Sequence, residues 1–103
     1  MKSMGHFSLE FLFTECNLKN HCIGIHLIQP MKIGNDLHEE VFVTKVILAE
    51  NETQQIITNI ANNVNTNNGI VIALAFVSGQ SPFDAGRVSI NLSNIDYIEK
   101  RND

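Results

Sequence analysis

The sequence predicts an α+β fold in which one helix packs on one face of a mixed five-stranded sheet. Three observations lead to this prediction: an uninterrupted apolar run over residues 70–77, several stretches of alternating apolar and polar residues, and one capped amphipathic segment after residue 50. With 103 residues, the chain is predicted to form a single domain, residues 1–103, because this length supports one modest core. The predicted order of elements is β-β-β-α-β-β.

The first three predicted strands lie in the first half of the chain. Over residues 7–14 the apolar side chains fall at alternate positions, apart from Leu12, which predicts a strand with one buried face. Residues 22–29 alternate in the same way and predict a second strand, paired antiparallel with the first. After a break over residues 34–36, the more continuously apolar residues 41–49 predict a third strand.

One helix is predicted after the third strand. Asn51 is the expected N-cap, Gln54 stands at the capping-box position, and Gly69 is expected to adopt a left-handed conformation after the helix. One face of this helix is apolar, with Ile56, Ile57, Ile60, Ala61 and Val64. The opposite face is polar but uncharged, so burial of the apolar stripe is expected to stabilise the helix.

The last two predicted strands follow the helix. Residues 70–77 are apolar throughout and bounded by turn-forming residues, which predicts a central strand buried on both faces. Residues 87–92 predict the fifth strand, and a change of phase near Ser93 and Asn94 indicates a bulge or a turn. The short links on either side of the helix predict a right-handed crossover between parallel strands, with hairpins elsewhere.

The predicted sheet is wider than its helix can cover. A helix of about 14 residues is ~21 Å long and ~10 Å wide, which covers two or three strands at ~4.8 Å spacing. The face opposite the helix would then expose apolar side chains, and two-fold pairing with a second subunit is the expected way to bury them. Two alternatives remain: strong twist could fold the sheet on itself, or residues 1–7 could cross the open face.

Composition excludes several classes of function. Seven basic against eleven acidic residues give a formal charge of −4, and the basic residues are scattered, so nucleic acid is not an expected partner. No signal-peptide core or membrane-length apolar run is present, which predicts a cytoplasmic protein without membrane contact. Two cysteines are too few for the disulfide framework of a small secreted domain.

A metal site is considered because the first 40 residues contain His and Cys. Cys22 and His26 lie four residues apart on a predicted strand, so ~13 Å separates their Cα atoms and they cannot bind one ion. His38 adds no spacing typical of a zinc site. Cys16 could approach Cys22 and His21, giving a cluster without a fourth ligand, or a disulfide under oxidation. The sequence predicts no metal and no cofactor.

The loop over residues 79–87 is the most site-like segment of the sequence. Its tentative ligand-binding residues are Gly79, Ser81, Phe83, Asp84 and Arg87. Such a set can hold a planar or phosphorylated small molecule, with Arg87 on the phosphate and Phe83 stacking. The glycine spacing matches neither a Walker loop nor a dinucleotide fingerprint. The alternative is a hairpin loop in which Phe83 covers the sheet edge and Asp84 caps a turn.

No catalytic residue is predicted. Ser81 lies near Asp84, but the four histidines all lie in the first 40 residues, so no base is close to this serine in sequence. Glu39 and Glu40 point to opposite faces of an extended chain and do not form an acid/base pair. The chain is therefore not expected to be an enzyme.

The leading functional hypothesis is a small, acidic, non-enzymatic binding or regulatory protein that acts on another protein as an inhibitor, immunity protein or chaperone, and forms a homodimer. The predicted β-β-β-α-β-β order with acidic charge is similar in outline to dimeric type III secretion chaperones, which add helices before and after that core. The alternative is a small-ligand binder or sponge for nucleotides or phosphate-bearing molecules, using the loop over residues 79–87. A third hypothesis is a nucleic-acid-binding regulator, because residues 90–99 resemble the opening of LytTR-type DNA-binding domains.

Overall fold

The computed structural model describes residues 8–64 and 69–101. The elements in chain order are α1 (Leu9–Phe13), a π-helix (Thr14–Leu18), β1 (Cys22–Ile33), β2 (Asp36–Val46), α2 (Glu50–Ala61), β3 (Ile70–Phe76), β4 (Gly86–Asn91) and β5 (Ile95–Arg101). Short 3₁₀ turns, Pro82–Asp84 and Leu92–Asn94, precede β4 and β5. The fold is α+β, as predicted, but the element order differs because a helical segment comes first and three strands follow α2.

The sheet is antiparallel throughout, with five strands in the order β4-β3-β2-β1-β5. The prediction of a mixed sheet with a parallel crossover is therefore wrong. Strands β2 and β3 are neighbours, and α2 lies in the connection between them. Ile56 is the one residue of α2 that is buried, so α2 does not pack along the sheet as a crossover helix must.

The prediction of a strand over residues 7–14 is also wrong, because Leu9–Phe13 form the helix α1. Ser8 caps this helix: its hydroxyl oxygen accepts a hydrogen bond from the Phe11 N–H at 3.2 Å. The buried residues of this segment have helical spacing, at Leu9, Leu12, Phe13 and Cys16. Leu12, which interrupted the alternating pattern, is one of the most deeply buried side chains.

The core is built mainly from the sheet and the first helical segment. Buried residues of α1 and the π-helix share one cluster with alternate residues of the strands: Ile23, Ile25, Leu27, Val41, Val43, Val46, Val71, Ala73, Ala75 and Ile90. Among the described residues, α2 contributes Ile56 alone to this cluster. The helix α2, which was predicted to cover the sheet, thus contributes little to the core. The first helical segment, which was predicted to be a strand, packs against the sheet instead.

The helix α2 forms where it was predicted, with different ends. Its N-cap is Ala49 rather than Asn51, and the Glu52 carboxylate accepts a hydrogen bond from the Ala49 N–H at 3.0 Å. After the helix, Asn63 adopts the left-handed conformation (φ 61°) that was predicted for Gly69. The apolar stripe beyond Ile56 is largely exposed at Ile57, Ile60 and Val64, so the prediction that burial of the whole stripe holds the helix is wrong.

Strand β3 is neither central nor buried on both faces along its length. It lies next to the edge strand β4, and β2 is the central strand. Burial alternates at its start: Val71 is buried, whereas Ile70 is 58% exposed and Ile72 is 38% exposed. Only at its end is the second face covered, at Phe76. An apolar run thus marks the strand, and the strand order decides how many of its faces are covered.

Other parts of the prediction are confirmed. Strands β1 and β2 form a hairpin whose turn contains Gly34 in a positive-φ conformation. The change of phase near Ser93 and Asn94 corresponds to the 3₁₀ turn that leads into β5, which pairs with β1 at the far edge of the sheet.

The alternative that residues 1–7 cross the open face of the sheet concerns a segment outside the described residues. No helix within residues 8–64 and 69–101 combines the length and apolarity needed to cross a membrane.

Candidate functional site

One face of the sheet carries a concentration of charged and aromatic side chains. The buried core residues occupy alternate positions on the strands, so their cross-strand neighbours on the second face line up in register. We call this second face the His26 face. It consists of Cys22, Gly24, His26, Glu40, Phe42, Lys45, Ile72, Leu74, Phe76, Arg87, Tyr97, Glu99 and Arg101.

His26 lies at the centre of an acidic cluster on this face. Its Nε2 atom is 2.8 Å from Glu40 Oε2 and 2.9 Å from Glu99 Oε1. Strand β1 lies between β2 and β5, so His26 has a neighbour on each side. One imidazole nitrogen carries at most one proton, and this proton cannot point at both carboxylates at once. The cluster therefore places two acids around one donor.

Tyr97 and Gly24 lie next to the cluster. The Tyr97 ring stacks on the His26 ring with centroids 4.0 Å apart and an interplanar angle of 10°, which holds the imidazole in place. The pKa of the Tyr97 hydroxyl is raised, first by desolvation and then by the charges of Glu99, Glu40 and Asp96. A Cβ atom at Gly24 would lie 3.4 Å from the Phe42 ring and 3.6 Å from Glu40 Oε2, in ordinary van der Waals contact with both.

An arginine and two phenylalanines occupy the next part of the His26 face. The rings of Phe42 and Phe76 are 5.2 Å apart and inclined by 36°. The Arg101 guanidinium carbon lies 4.5 Å from the Phe42 centroid and 5.9 Å from the Phe76 centroid. Phe76 is only 3% exposed as a result of this packing. The Arg101 guanidinium thus packs against the two aromatic rings and contributes a cation beside them.

A second charged cluster surrounds Glu15 of the π-helix. Its carboxylate contacts His21 Nδ1 at 2.9 Å, Lys19 Nζ at 3.2 Å and Lys100 Nζ at 3.6 Å. The pKa of Glu15 is lowered, chiefly by the hydrogen bond with His21, although burial opposes this effect. Each of these partners stabilises the ionised carboxylate. The cluster links the helical segment to β5 and leaves Glu15 poorly suited to accept a proton at neutral pH.

The predicted ligand loop forms a compact capped turn. The Ser81 N–H donates to Asp84 Oδ2 at 2.9 Å, and the Phe83 N–H donates to Ser81 Oγ at 3.2 Å. Gly79 has a positive φ of 92°. The structure brings Ser81 and Asp84 together, whereas Phe83 is 98% exposed.

The alternative to a ligand site was a hairpin loop in which Phe83 covers the sheet edge and Asp84 caps a turn. Phe83 is exposed and does not cover the sheet edge. Asp84 does cap the turn, as this alternative predicted. Arg87 lies on β4 opposite Leu74, and therefore on the His26 face. Nothing in the geometry tests a ligand at residues 79–87, and that role stays a prediction.

Among the described residues, neither cysteine belongs to a group of converging metal-ligating atoms. Cys16 is buried, its thiol lies 3.7 Å from the Val43 carbonyl oxygen, and neither cysteine forms a disulfide within the described residues. His21 contacts Glu15. Within residues 8–64 and 69–101, the one group with converging metal-ligating atoms is His26, Glu40 and Glu99. The sequence predicted that His26 lies on one face of a strand. It did not predict Glu40 and Glu99 as partners, because they belong to two other strands.

A groove of about 360 Å³ lies between the helices and the start of β3. Its lining includes Ile47, Leu48, Ile56 and Ile70 together with the buried Glu10. Glu10 Oε2 accepts a hydrogen bond from Asn59 Nδ2 at 3.3 Å. This contact fixes α2 against α1, so the carboxylate in the groove has a structural partner.

Comparison of the chain with protein-family models, with curated proteins and with solved structures gives no match.

Proposed function

We propose that this chain is a non-enzymatic binding protein that recognises other protein chains, and that it forms a homodimer through the His26 face. One observation supports this proposal above all. On the central strand β2, this face presents an acid, an aromatic ring and a base in order: Glu40, Phe42 and Lys45. A second copy rotated by two-fold symmetry can place its own base opposite this acid.

As a first step, we infer that the helices cover only the face of the sheet opposite the His26 face. The buried residues of α1, the π-helix and α2 belong to the same cluster as Ile23, Ile25 and Val43, whose side chains point away from His26. The Cys16 thiol and the Asn17 side-chain amide of the π-helix form hydrogen bonds with the backbone of Val43 and Val46. These contacts support a helical layer on that side and an open His26 face.

The second step is that the open face has the composition of an interface. Phe42, Tyr97 and Arg101 are partly exposed, and aromatic and arginine side chains are enriched at the centres of protein interfaces. Ile72 and Leu74 extend the apolar surface towards β4. An exposed sheet face with this composition is typical of protein–protein interfaces.

The third step is the choice of a second copy as the occupant. A two-fold axis in the plane of the interface, perpendicular to β2 and close to Phe42, reverses the order of charges in the partner. Glu40 of each copy then faces Lys45 of the other, and the Phe42 rings lie near the axis. Charge complementarity of this kind fixes the register of two surfaces and disfavours other partners.

The chemistry of the remaining candidate groups supports a binding role over catalysis. Burial raises the pKa of the Cys16 thiol to about 12, so this cysteine is a poor nucleophile. Glu15 is held ionised by its cationic neighbours. A dimer would still present its edge strands and α2 to an inhibitor target or a client protein, and the cytoplasm remains the compartment that the sequence predicts.

Two isoleucines of similar exposure test the proposal. Ile72 on the His26 face is 38% exposed, and Ile57 on α2 is 43% exposed. We expect Ile72→Glu to weaken the dimer in sedimentation velocity, because it adds a negative charge to the apolar surface that continues from Phe42 towards β4. Ile57→Glu is the matched control and should sediment like the parent protein.

The opposite pattern would overturn the proposal. If Ile57→Glu dissociated the dimer and Ile72→Glu did not, the helical surface would be the interface. Circular dichroism of both variants would show that each remains folded, so that a change in sedimentation reports association.

A further inference from the structure

We propose that His26, Glu40 and Glu99 form a binding site for a divalent transition-metal ion such as Zn²⁺. The inference concerns a small ligand and does not rest on the proposed dimer. It is carried by the convergence of three ligand atoms, one from each of the neighbouring strands β2, β1 and β5.

The distances within the cluster match those between the ligands of one metal ion. Zn²⁺ binds imidazole nitrogen and carboxylate oxygen at about 2.1 Å, so two ligands at angles of about 90° to 110° lie roughly 3.0–3.4 Å apart. His26 Nε2 is 2.8 Å from Glu40 Oε2 and 2.9 Å from Glu99 Oε1. The three ligand atoms all lie within 4.8 Å of one another. The two separations from His26 lie within a few tenths of an ångström of this range.

The charges also fit a divalent cation. A neutral imidazole with two carboxylates has a charge of −2, which one divalent ion neutralises. Without an ion, a single proton on His26 must serve both acids, and it leaves one of them without a donor from this ring. Carboxylate ligands and imidazole together favour Zn²⁺, Mn²⁺ or Fe²⁺ over the all-oxygen sites that Ca²⁺ and Mg²⁺ prefer.

The surroundings hold the ligands in place. Tyr97 stacks on the imidazole, and the antiparallel register on both sides of β1 fixes the three backbone positions. Strands position ligands more precisely than loops do. Three protein ligands leave at least one coordination position directed away from the sheet, where water or a group from another molecule can bind.

Equilibrium dialysis and calorimetry with Zn²⁺ test this site, in a Cys22→Ser background that removes the half-buried thiol. The parent protein should bind one Zn²⁺ per chain. Glu99→Gln and His26→Asn should each lower the Zn²⁺ affinity by about tenfold or more, since even the loss of a supporting hydrogen bond costs this much at many metal sites. Mg²⁺ at the same concentration should not displace the bound Zn²⁺.

Matched controls come from β2, the strand that carries Glu40. Glu39→Gln removes one negative charge next to the site, and His38→Asn removes one histidine from β2, yet neither residue belongs to the cluster. Both should bind Zn²⁺ like the parent protein. The inference is overturned if Glu99→Gln and Glu39→Gln bind equally well, or if the folded parent shows no saturable binding. Repeating the titration on Ile72→Glu separates this result from the dimer, because all three ligands belong to one chain and the single subunit should bind Zn²⁺.

Discussion

The side chain of Asn17 pairs with both backbone groups of Val46. Its Nδ2 donates to the Val46 carbonyl at 2.9 Å, and the Val46 N–H donates to its Oδ1 at 2.8 Å. The contact lies beside an irregularity in the pairing of β2 with β3, between Val43 and Lys45. A side-chain amide thus provides both a donor and an acceptor to the strand, and joins the π-helix to it.

We expect Asn17→Ala to destabilise the fold by about 1–3 kcal/mol, because two partly buried backbone groups lose their partners. Urea denaturation followed by circular dichroism measures the loss. Asn35→Ala in the exposed β1–β2 turn is the control and should change the free energy of unfolding by less than about 0.5 kcal/mol. Equal losses for the two variants would show that the Asn17 contact contributes little.

The lowered pKa of Glu15 predicts a defined pH dependence of stability. A carboxyl group whose pKa is lower in the folded than in the unfolded state stabilises the fold above its unfolded pKa, and this contribution is lost as the pH falls through the folded value. Glu15→Gln should therefore be less stable than the parent at pH 7, and the difference should narrow below about pH 4. Thermal unfolding across this range tests the sign. A Glu15→Gln deficit in stability that widened in acid would contradict the assignment.

The two cysteines should differ sharply in reactivity. Cys16 is buried and its thiol has a pKa of about 12, whereas Cys22 is only partly buried. Maleimide labelling of the native protein should modify one thiol, and labelling in denaturant should modify both. Cys22→Ser should remove the native reaction entirely. Rapid native labelling of that variant would show that Cys16 is accessible.

The sequence contained enough information to identify the first helix, although its alternating pattern favoured a strand. Leu9, Leu12 and Phe13 have the spacing of a helical face, and Ser8 stands at the N-cap position. Over a segment this short, the apolar positions expected for a strand (period two) and for a helix (period 3.6) partly coincide. Leu12 is the residue that separates them, because it fits the helical face and not the strand.

The His26 cluster could not be predicted without the strand order. Glu40 and Glu99 are far from His26 in sequence and reach it only because β1 pairs with β2 on one side and with β5 on the other. The predicted first strand would have occupied the place beside β1 that β5 takes. Strand order is set by long-range packing, which local patterns do not report.

A charge exchange on β2 tests the proposed register of the dimer. Lys45→Glu and Glu40→Lys should each weaken dimerisation by about tenfold, because each places like charges opposite one another. The double variant Glu40→Lys/Lys45→Glu should recover much of the affinity, since the opposite charges face each other again. Glu39→Lys makes the same charge change at the neighbouring position and should have little effect. Failure of the double variant to recover would exclude this register.

The central claim is that a second copy covers the His26 face. Light scattering of the unmodified protein, coupled to size exclusion, measures this most directly. At micromolar concentrations we expect twice the chain mass of 11.5 kDa, and the mass should fall towards that of one chain on dilution. A single-chain mass that does not change with concentration would contradict the claim.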